Sequence, residues 1–197
     1  MKFSKNINQA LSVLRKSGTI VYPTDTVYGL GADVDDLKAI KSIYKIKGRS
    51  SQKPIGLIAA DINQVKKIAK LNKEELNMMK RFWPGPLTIL LKVNNKYEGL
   101  SFIGQGGYVG VRVPDNQVAL ELAKKLGRPL IATSANLSGQ KECFTTFCVV
   151  NQFMNKLDYP GFIYDGGRLP RSKPSTIIKW KKGVWQIIRK GKIKIDD

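Results

Sequence analysis

Histidine is absent from the 197-residue chain, and only two cysteines are present. Without an imidazole the chain cannot form a Ser-His-Asp triad, a Cys-His dyad or an HExxH zinc site. Two cysteines are too few for a structural zinc site. Cys143 and Cys148 are five positions apart, which matches neither a CxxC redox motif nor a disulfide framework, so we expect reduced thiols in a reducing compartment.

Acidic residues are scarce: 15 Asp and Glu face 34 Lys and Arg, which gives a net charge of +19. This excess indicates a polyanionic partner or substrate. The 26 lysines are also consistent with a solvated surface that binds nothing. The 8 arginines are more informative, because a guanidinium makes paired hydrogen bonds to phosphate and carboxylate groups.

Long apolar runs are missing as well, so no segment is expected to span a membrane. The first six residues lack the apolar stretch and cleavage site of a signal peptide. Hydrophobic residues make up 42% of the chain, enough to bury a core. We therefore expect one cytoplasmic domain over residues 1–197, with its core at about 7–191 and a short basic C-terminal tail.

Helical and strand patterns alternate along the chain, which predicts an α/β domain. Ser4 is expected to cap the first helix and Gly18 to end it. Helix-free links between the last strands favour a mixed sheet. Further helices are predicted at about 35–46, from Asp61, up to Phe82, and from Asp115 to Gly127. Strands are predicted at 19–22, 55–59, 87–93, 109–113, 130–132, 162–164, 175–179 and 184–188.

Three polar loops follow predicted strands, at residues 23–31, 133–139 and 165–176. They are rich in Thr, Ser, Asn and Gly, whose hydroxyls and open backbone amides suit phosphate, carboxylate or an amino acid. Ligands of open α/β sheets bind at strand ends, where such loops meet. Each loop alone is more typical of an ordinary turn, but the three together favour a binding site.

A basic segment with the motif Lys47-Gly48-Arg49 follows the second predicted helix. Residues 38–53 contain six basic side chains and no acidic one. The segment is either a phosphate-binding loop or a solvated helix end whose cations complement the helix dipole. Neither a P-loop nor a GxGxxG motif is present.

An ordered set of motifs extends from about residue 7 to 191 and resembles the YrdC-like threonylcarbamoyl-AMP synthase family in its short, single-domain bacterial form. The motifs are Tyr22-Pro23-Thr24-Asp25-Thr26-Val27-Tyr28-Gly29-Leu30-Gly31, Lys47-Gly48-Arg49, Trp83-Pro84-Gly85-Pro86-Leu87-Thr88, Gly110-Val111-Arg112-Val113-Pro114, Thr133-Ser134-Ala135-Asn136-Leu137-Ser138-Gly139, Gly166-Gly167-Arg168-Leu169, Pro174-Ser175-Thr176-Ile177 and Ile188-Arg189-Lys190-Gly191.

The resemblance implies a twisted, open, mixed sheet flanked by helices around a concave basic cavity. It also implies an enzyme that condenses L-threonine, bicarbonate or CO2, and ATP into threonylcarbamoyl-adenylate and diphosphate. A partner transferase complex would then modify position 37 of tRNA. Because the substrates supply the nucleophile, a chain without histidine suits this chemistry.

By the same resemblance, Lys47 and Arg49 would be catalytic and would bind phosphate and carbamate oxygens. ATP-binding residues would be Arg49, Lys53, Ser134, Asn136 and Arg189. Threonine-binding residues would be Thr24, Thr26, Tyr28, Arg112 and Ser175. No protein metal site is implied, and Mg2+ would be carried by the ATP phosphates.

One position departs from longer relatives, which often have histidine where this chain has Ile58. The resemblance therefore does not determine how the threonine pocket is lined at Ile58. Two other readings of the chain remain: a basic, non-catalytic module that binds tRNA or rRNA, and a carbamoyl-transfer domain that acts on a protein. No recognised RNA-binding motif supports the first, and the length of the chain argues against the second.

Overall fold

Ten strands form one sheet in the computed structural model, which describes residues 2–94 and 96–195. The strands are β1 Lys2–Ser4, β2 Ile20–Tyr22, β3 Gly29–Gly31, β4 Gly56–Ile58, β5 Leu87–Lys92, β6 Tyr108–Arg112, β7 Leu130–Ser134, β8 Phe162–Tyr164, β9 Thr176–Lys181 and β10 Val184–Arg189. The helices are α1 Ile7–Leu14, α2 Leu37–Lys47, α3 Ile62–Lys66, α4 Lys73–Phe82, α5 Glu98–Ile103, α6 Gln117–Leu126 and α7 Thr146–Phe153.

The sheet is open and mixed, with the order β1-β8-β2-β3-β7-β4-β6-β5-β9-β10. β2 runs parallel to β8 and antiparallel to β3, and β3 in turn runs antiparallel to β7. β4 is parallel to β6, and β5 is parallel to β9. The predicted α/β class and mixed sheet are confirmed.

The core lies on both faces of the sheet, because successive strand residues point to opposite sides. In β2, Ile20 and Tyr22 pack with α1 and α6, whereas Val21 packs with the larger cluster that contains α2 and α3. The result is three layers, helix on sheet on helix. None of the helices in residues 2–94 and 96–195 has both the length and the apolar composition needed to cross a bilayer.

Two helices begin at a different capping residue from the one predicted, because another nearby polar side chain accepts the hydrogen bonds of the first backbone amides. The cap of α1 is Asn6, whose side chain accepts hydrogen bonds from two backbone amides; Ser4 instead accepts from the amide of Asn6. The helix ends at Leu14, ahead of the predicted Gly18. α6 is capped by Asn116, one residue after the predicted Asp115, and ends as predicted at Gly127, in the left-handed region.

Four elements were not predicted: β1, β3, α5 and α7. β3 is Gly-Leu-Gly, a composition typical of a turn. It is a strand because it pairs with β2 and β7, and its glycines leave room for the ring of Tyr22. A Cβ at Gly31 would come within 2.7 Å of the Tyr22 ring. α7 begins at a Thr145 cap and carries no strong amphipathic pattern that would have revealed it.

The prediction of two reduced thiols is wrong in this structure, where Cys143 and Cys148 form a disulfide. The loop before α7 folds back over the first turn of that helix. This brings the two Cα atoms to 5.5 Å, within the range that a disulfide bridges. The helix at 146–153 was not predicted, so the short distance that it creates between the two cysteines could not be predicted either.

A charge pair between a buried carboxylate and a partly exposed guanidinium joins the end of β3 to the start of β7. Arg128 Nε donates to Asp33 Oδ1 over 2.6 Å, and Nη2 of the same arginine donates to Oδ2. Asp33 is only 3% exposed and forms a backbone bridge with Leu130. The hydrogen-bonded carboxylate raises the pKa of Arg128 above its usual value.

Replacement of Arg128 by methionine should therefore lower the free energy of unfolding by about 2 kcal/mol, because the Asp33 carboxylate stays buried and loses its cation. The measurement is urea denaturation at neutral pH. Lys125→Met is the matched control: it breaks an exposed pair with Glu121 and should cost no more than about 0.5 kcal/mol. Equal losses in both variants would contradict the assigned role of Arg128.

Candidate functional site

The polar loops meet at one edge of the sheet. β2, β7 and β8 run in the same direction, so their carboxyl ends lie on the same side. The segments that follow them, together with residues of strands β2 to β7 and β9, line a cavity of about 410 Å3, within the usual range for a small-molecule site. Seven of the eleven predicted site residues line it: Thr24, Thr26, Arg49, Arg112, Ser134, Ser175 and Arg189.

Arg112 lies at the end of β6 and is almost fully enclosed, with 8% exposure. Both of its Nη atoms donate to Thr26 Oγ1, over 3.3 and 3.4 Å. Its Nη1 lies 3.2 Å from a carboxylate oxygen of Asp25. That oxygen has no aligned donor within the described part of the chain, so charge rather than a hydrogen bond holds the pair. Burial lowers the pKa of Arg112, and Asp25 opposes this shift.

The hydroxyls of Thr24 and Thr26 are joined at 3.1 Å. Thr24 also donates to the Val27 carbonyl and accepts from the backbone amides of Thr26 and Val27. This local network holds the loop after β2 in one conformation. It places the Thr26 hydroxyl against Arg112 at the cavity wall.

Arg189 and Ser175 also line the cavity. The guanidinium of Arg189 donates to the Ser175 carbonyl over 2.8 and 3.1 Å and to its hydroxyl over 3.0 Å. Ser175 Oγ also lies 2.9 Å from Thr88 Oγ1. Burial lowers the pKa of Arg189, as does the charge of Arg112, while Glu142 raises it. A second guanidinium is thus held rigidly with part of its surface toward the cavity.

Arg49 lies just beyond the end of α2 and lines the cavity. Its Nη2 donates to the Pro54 carbonyl over 3.0 Å, while its buried Nε has no partner among the described residues. Lys53, four residues later, is exposed and does not line the cavity; its carbonyl accepts a hydrogen bond from Tyr44.

Lys47 is buried beneath the loop that follows β7. Its ammonium donates to the carbonyl oxygens of Ser134 and Asn136, the latter over 2.7 Å. Its own carbonyl accepts from the Ser138 amide over 2.9 Å. Burial lowers the pKa of Lys47 to about 8; the Arg49 charge acts in the same direction, and Glu142 opposes it. The ammonium supports the wall of the cavity and is not part of its lining.

Asn136 and Tyr28 also act behind the lining. Asn136 Nδ2 donates to the carbonyls of Gln140 over 2.7 Å and Leu137 over 3.1 Å, which closes the loop after β7. Tyr28 is fully buried, and its hydroxyl donates to the Gly167 carbonyl over 2.7 Å. Both residues therefore join segments of the chain that form the site.

Several lining residues were not predicted as site residues, among them Tyr22, Thr88 and Glu142. Thr88 lies in one of the quoted motifs, so its place in the motif was the available signal. Tyr22 likewise begins a quoted motif, so the same signal was available for it. Glu142 follows the polar loop by three residues and lies in no quoted motif. Ile58, whose surroundings were left open, is 2% exposed and lines the cavity.

Among the described residues, no three His, Cys, Asp or Glu side chains converge as a metal-binding group. Glu142 is the acidic side chain that lines the cavity within residues 2–94 and 96–195. A single carboxylate fits an ion such as Mg2+ that keeps most of its ligands on phosphate oxygens and water.

Known proteins are similar to this chain in sequence and in fold. A threonylcarbamoyl-AMP synthase of Vibrio campbellii is 35% identical over 190 residues, which cover 95% of this chain and 100% of the relative. A putative threonylcarbamoyl-AMP synthase of Methanocaldococcus jannaschii is 37% identical over 176 residues, covering 89% of this chain and 81% of the relative.

A solved structure extends the comparison to three dimensions. Sua5 of Pyrococcus abyssi, complexed with L-threonine, superimposes with a TM-score of 0.86 at 33% identity, over 97% of this chain and 57% of that chain. This chain thus spans little more than half of the Pyrococcus protein. A sequence model of the Sua5/YciO/YrdC family, described as "Telomere recombination", matches residues 12–191. The chain therefore belongs to the Sua5/YciO/YrdC family.

Proposed function

We propose that this chain is an L-threonylcarbamoyladenylate synthase, which joins L-threonine, bicarbonate or CO2, and ATP and releases diphosphate. The observation that carries the proposal is the cavity itself. Three guanidinium groups and a set of small hydroxyls surround it, and one carboxylate opposes them. Such a cavity suits a polyphosphate together with an amino acid.

The reaction needs no nucleophile from the protein. The neutral threonine amine adds to CO2 and loses a proton to solvent, which gives a carbamate, and a carbamate oxygen then attacks the α-phosphorus of ATP. A new carbamate O–P bond forms while the bond from that phosphorus to the diphosphate oxygen breaks. The protein has to align the two reactants and stabilise the negative charge on the phosphoryl oxygens.

The nucleotide end of the cavity would be formed by Arg49, Ser134 and Arg189. The Arg49 guanidinium, with its unpartnered Nε, is the group best placed to take on phosphate and carbamate oxygens. Lys47 and Asn136 would act from behind by holding the loop that carries Ser134. Lys53 would reach ATP only by moving its exposed side chain toward the cavity.

The threonine end would be formed by Thr24, Thr26, Arg112 and Ser175, with Tyr28 behind them. The Arg112 guanidinium would attract the substrate carboxylate, and the threonine hydroxyls of the loop after β2 offer both donors and acceptors. Support comes from the Pyrococcus relative, whose structure contains L-threonine.

Magnesium would enter with ATP, where it would neutralise phosphate charge, and Glu142 is the residue positioned to offer it an oxygen ligand. The product would pass to a transferase complex that modifies position 37 of tRNA. The exposed lysines could also bind tRNA weakly. We propose that this takes place in the cytoplasm.

The direct test is to incubate the purified protein with ATP, L-threonine, bicarbonate and Mg2+ and to measure diphosphate. We expect release that requires both threonine and bicarbonate. The control contains L-alanine in place of threonine and measures the diphosphate released from ATP without threonine. No threonine-dependent release, together with tight binding of structured RNA, would instead favour the non-catalytic RNA-binding reading.

Arg49→Ala should lower kcat/KM by about 30- to 150-fold, which corresponds to about 2–3 kcal/mol of transition-state stabilisation. Lys45→Ala is the matched control: it removes the same charge from an exposed position on α2 and should change kcat/KM by less than about 2-fold. If Arg49→Ala keeps full activity, the phosphate site is placed wrongly.

The buried ammonium of Lys47 predicts a stability that depends on alkaline pH. The unfolded chain holds this proton up to about pH 10.5 and the folded chain only up to about pH 8. Between these values the unfolded state binds more protons, so raising the pH stabilises the folded state. Relative to Lys47→Met, the wild type should gain on the order of 3 kcal/mol across this window. A difference in unfolding free energy that stays constant from pH 7.5 to 10.5 would contradict this.

A further inference from the structure

Buried polar atoms without a partner are concentrated around the cavity. Among the described residues, the side-chain atoms of this kind are Tyr22 Oη, both carboxylate oxygens of Asp25, and Arg49 Nε. Tyr22 and Arg49 line the cavity, and Asp25 pairs with the lining residue Arg112. Because buried polar groups in folded proteins are nearly always hydrogen-bonded, a group of exceptions at one cavity indicates that the missing partners arrive with a ligand.

Tyr22 is an exception that has no ion pair, and the reaction described above does not use it. It is the last residue of β2, fully buried, and part of the cavity lining. Its ring is packed against the glycines of β3. A Cβ would lie 3.1 Å from its Cζ at Gly29 and 2.7 Å from its Cε1 at Gly31. The ring is therefore held in place, and its hydroxyl cannot swing round to find a backbone acceptor.

The surroundings of this hydroxyl define what could bond to it. Its charged neighbour Arg112 is a donor only and cannot accept the phenol proton. Burial raises the pKa of Tyr22, so the phenol remains protonated and is itself a donor. Tyr22 and Arg112 thus present donors to the same cavity, and a group that bonds to both must carry acceptor oxygens.

We propose that Tyr22 Oη donates a hydrogen bond to the carboxylate of the amino-acid substrate, beside the guanidinium of Arg112. This proposal rests on the proposed function, since it assigns a further residue to the threonine end of the same cavity. Tyr22 is a binding residue in this role and takes no part in proton transfer.

The charge balance favours the carboxylate of an amino acid over a phosphate as the acceptor. Arg112 is paired with Asp25, so this end of the cavity carries little net charge. A zwitterion, with one carboxylate and one ammonium group, matches such a pair. The triphosphate is better matched by Arg49 and Arg189, which have no ion-pair partner within 4 Å in the described part of the chain.

Tyr22→Phe removes only the hydroxyl and keeps the ring on the two glycines. Calorimetric titration with L-threonine should show a Kd raised about 10-fold or more, and kinetics should show the same rise in KM for threonine, with KM for ATP within 2-fold. L-threoninol, which lacks the carboxylate, should bind wild type and variant equally. The melting temperature of the free variant should not fall, because the lost hydroxyl had no partner.

Tyr28→Phe provides the matched comparison for stability. Its hydroxyl donates to the Gly167 carbonyl, so its loss should lower the melting temperature. Equal Kd values for L-threonine in wild type and Tyr22→Phe would overturn the proposal, as would a penalty that persists with L-threoninol. Tyr22-dependent threonine binding without diphosphate release would support Tyr22 and contradict the proposed reaction. A wild type that does not bind threonine would overturn both.

Discussion

The candidate site depends on a buried cation, the ammonium of Lys47, and on the carbonyl oxygens that surround it. A charged amine is costly to enclose unless its three donors are bonded. The Lys47 ammonium donates to the carbonyl oxygens of Ser134 and Asn136. The Lys47 carbonyl oxygen accepts a hydrogen bond from the Ser138 amide. The end of α2 and the loop after β7 are therefore held together, and Arg49 and Ser134 face the same cavity.

The requirement that buried charged groups have bonding partners also explains why arginines, rather than most of the lysines, line the cavity. Three arginines are fixed by specific partners. Arg112 donates to Thr26 and is paired by charge with Asp25. Arg128 donates to Asp33, and Arg189 donates to Ser175. The guanidinium can make several hydrogen bonds at once, so it can be ordered and still offer donors to a ligand. Most of the net charge of +19 is carried by lysine side chains. The cavity itself holds three arginines and one glutamate.

The order of the helices and strands was predictable to a large extent, because amphipathic periods, caps and terminal glycines are local signals. Gly127 ends its helix and Asp61 caps one as expected. β3 was not predicted, because its glycines indicate a turn in sequence but in the structure make room for the Tyr22 ring of the neighbouring strand. The disulfide was not predicted because the spacing of the two cysteines indicates a pairing only once Cys148 is placed in the first turn of α7.

The motifs by themselves determined the family, the fold class and the residue types available for chemistry, since these depend on which side chains exist and in what order. Only the tertiary structure decided which of those side chains form the lining of the cavity. Arg49 lines the cavity, whereas the ammonium of Lys47, two residues earlier, is hydrogen-bonded to backbone carbonyls and does not line it. Tyr22 is left with an unpartnered hydroxyl at the wall. Burial and hydrogen-bond satisfaction are properties of packed surroundings, so no local sequence pattern specifies them.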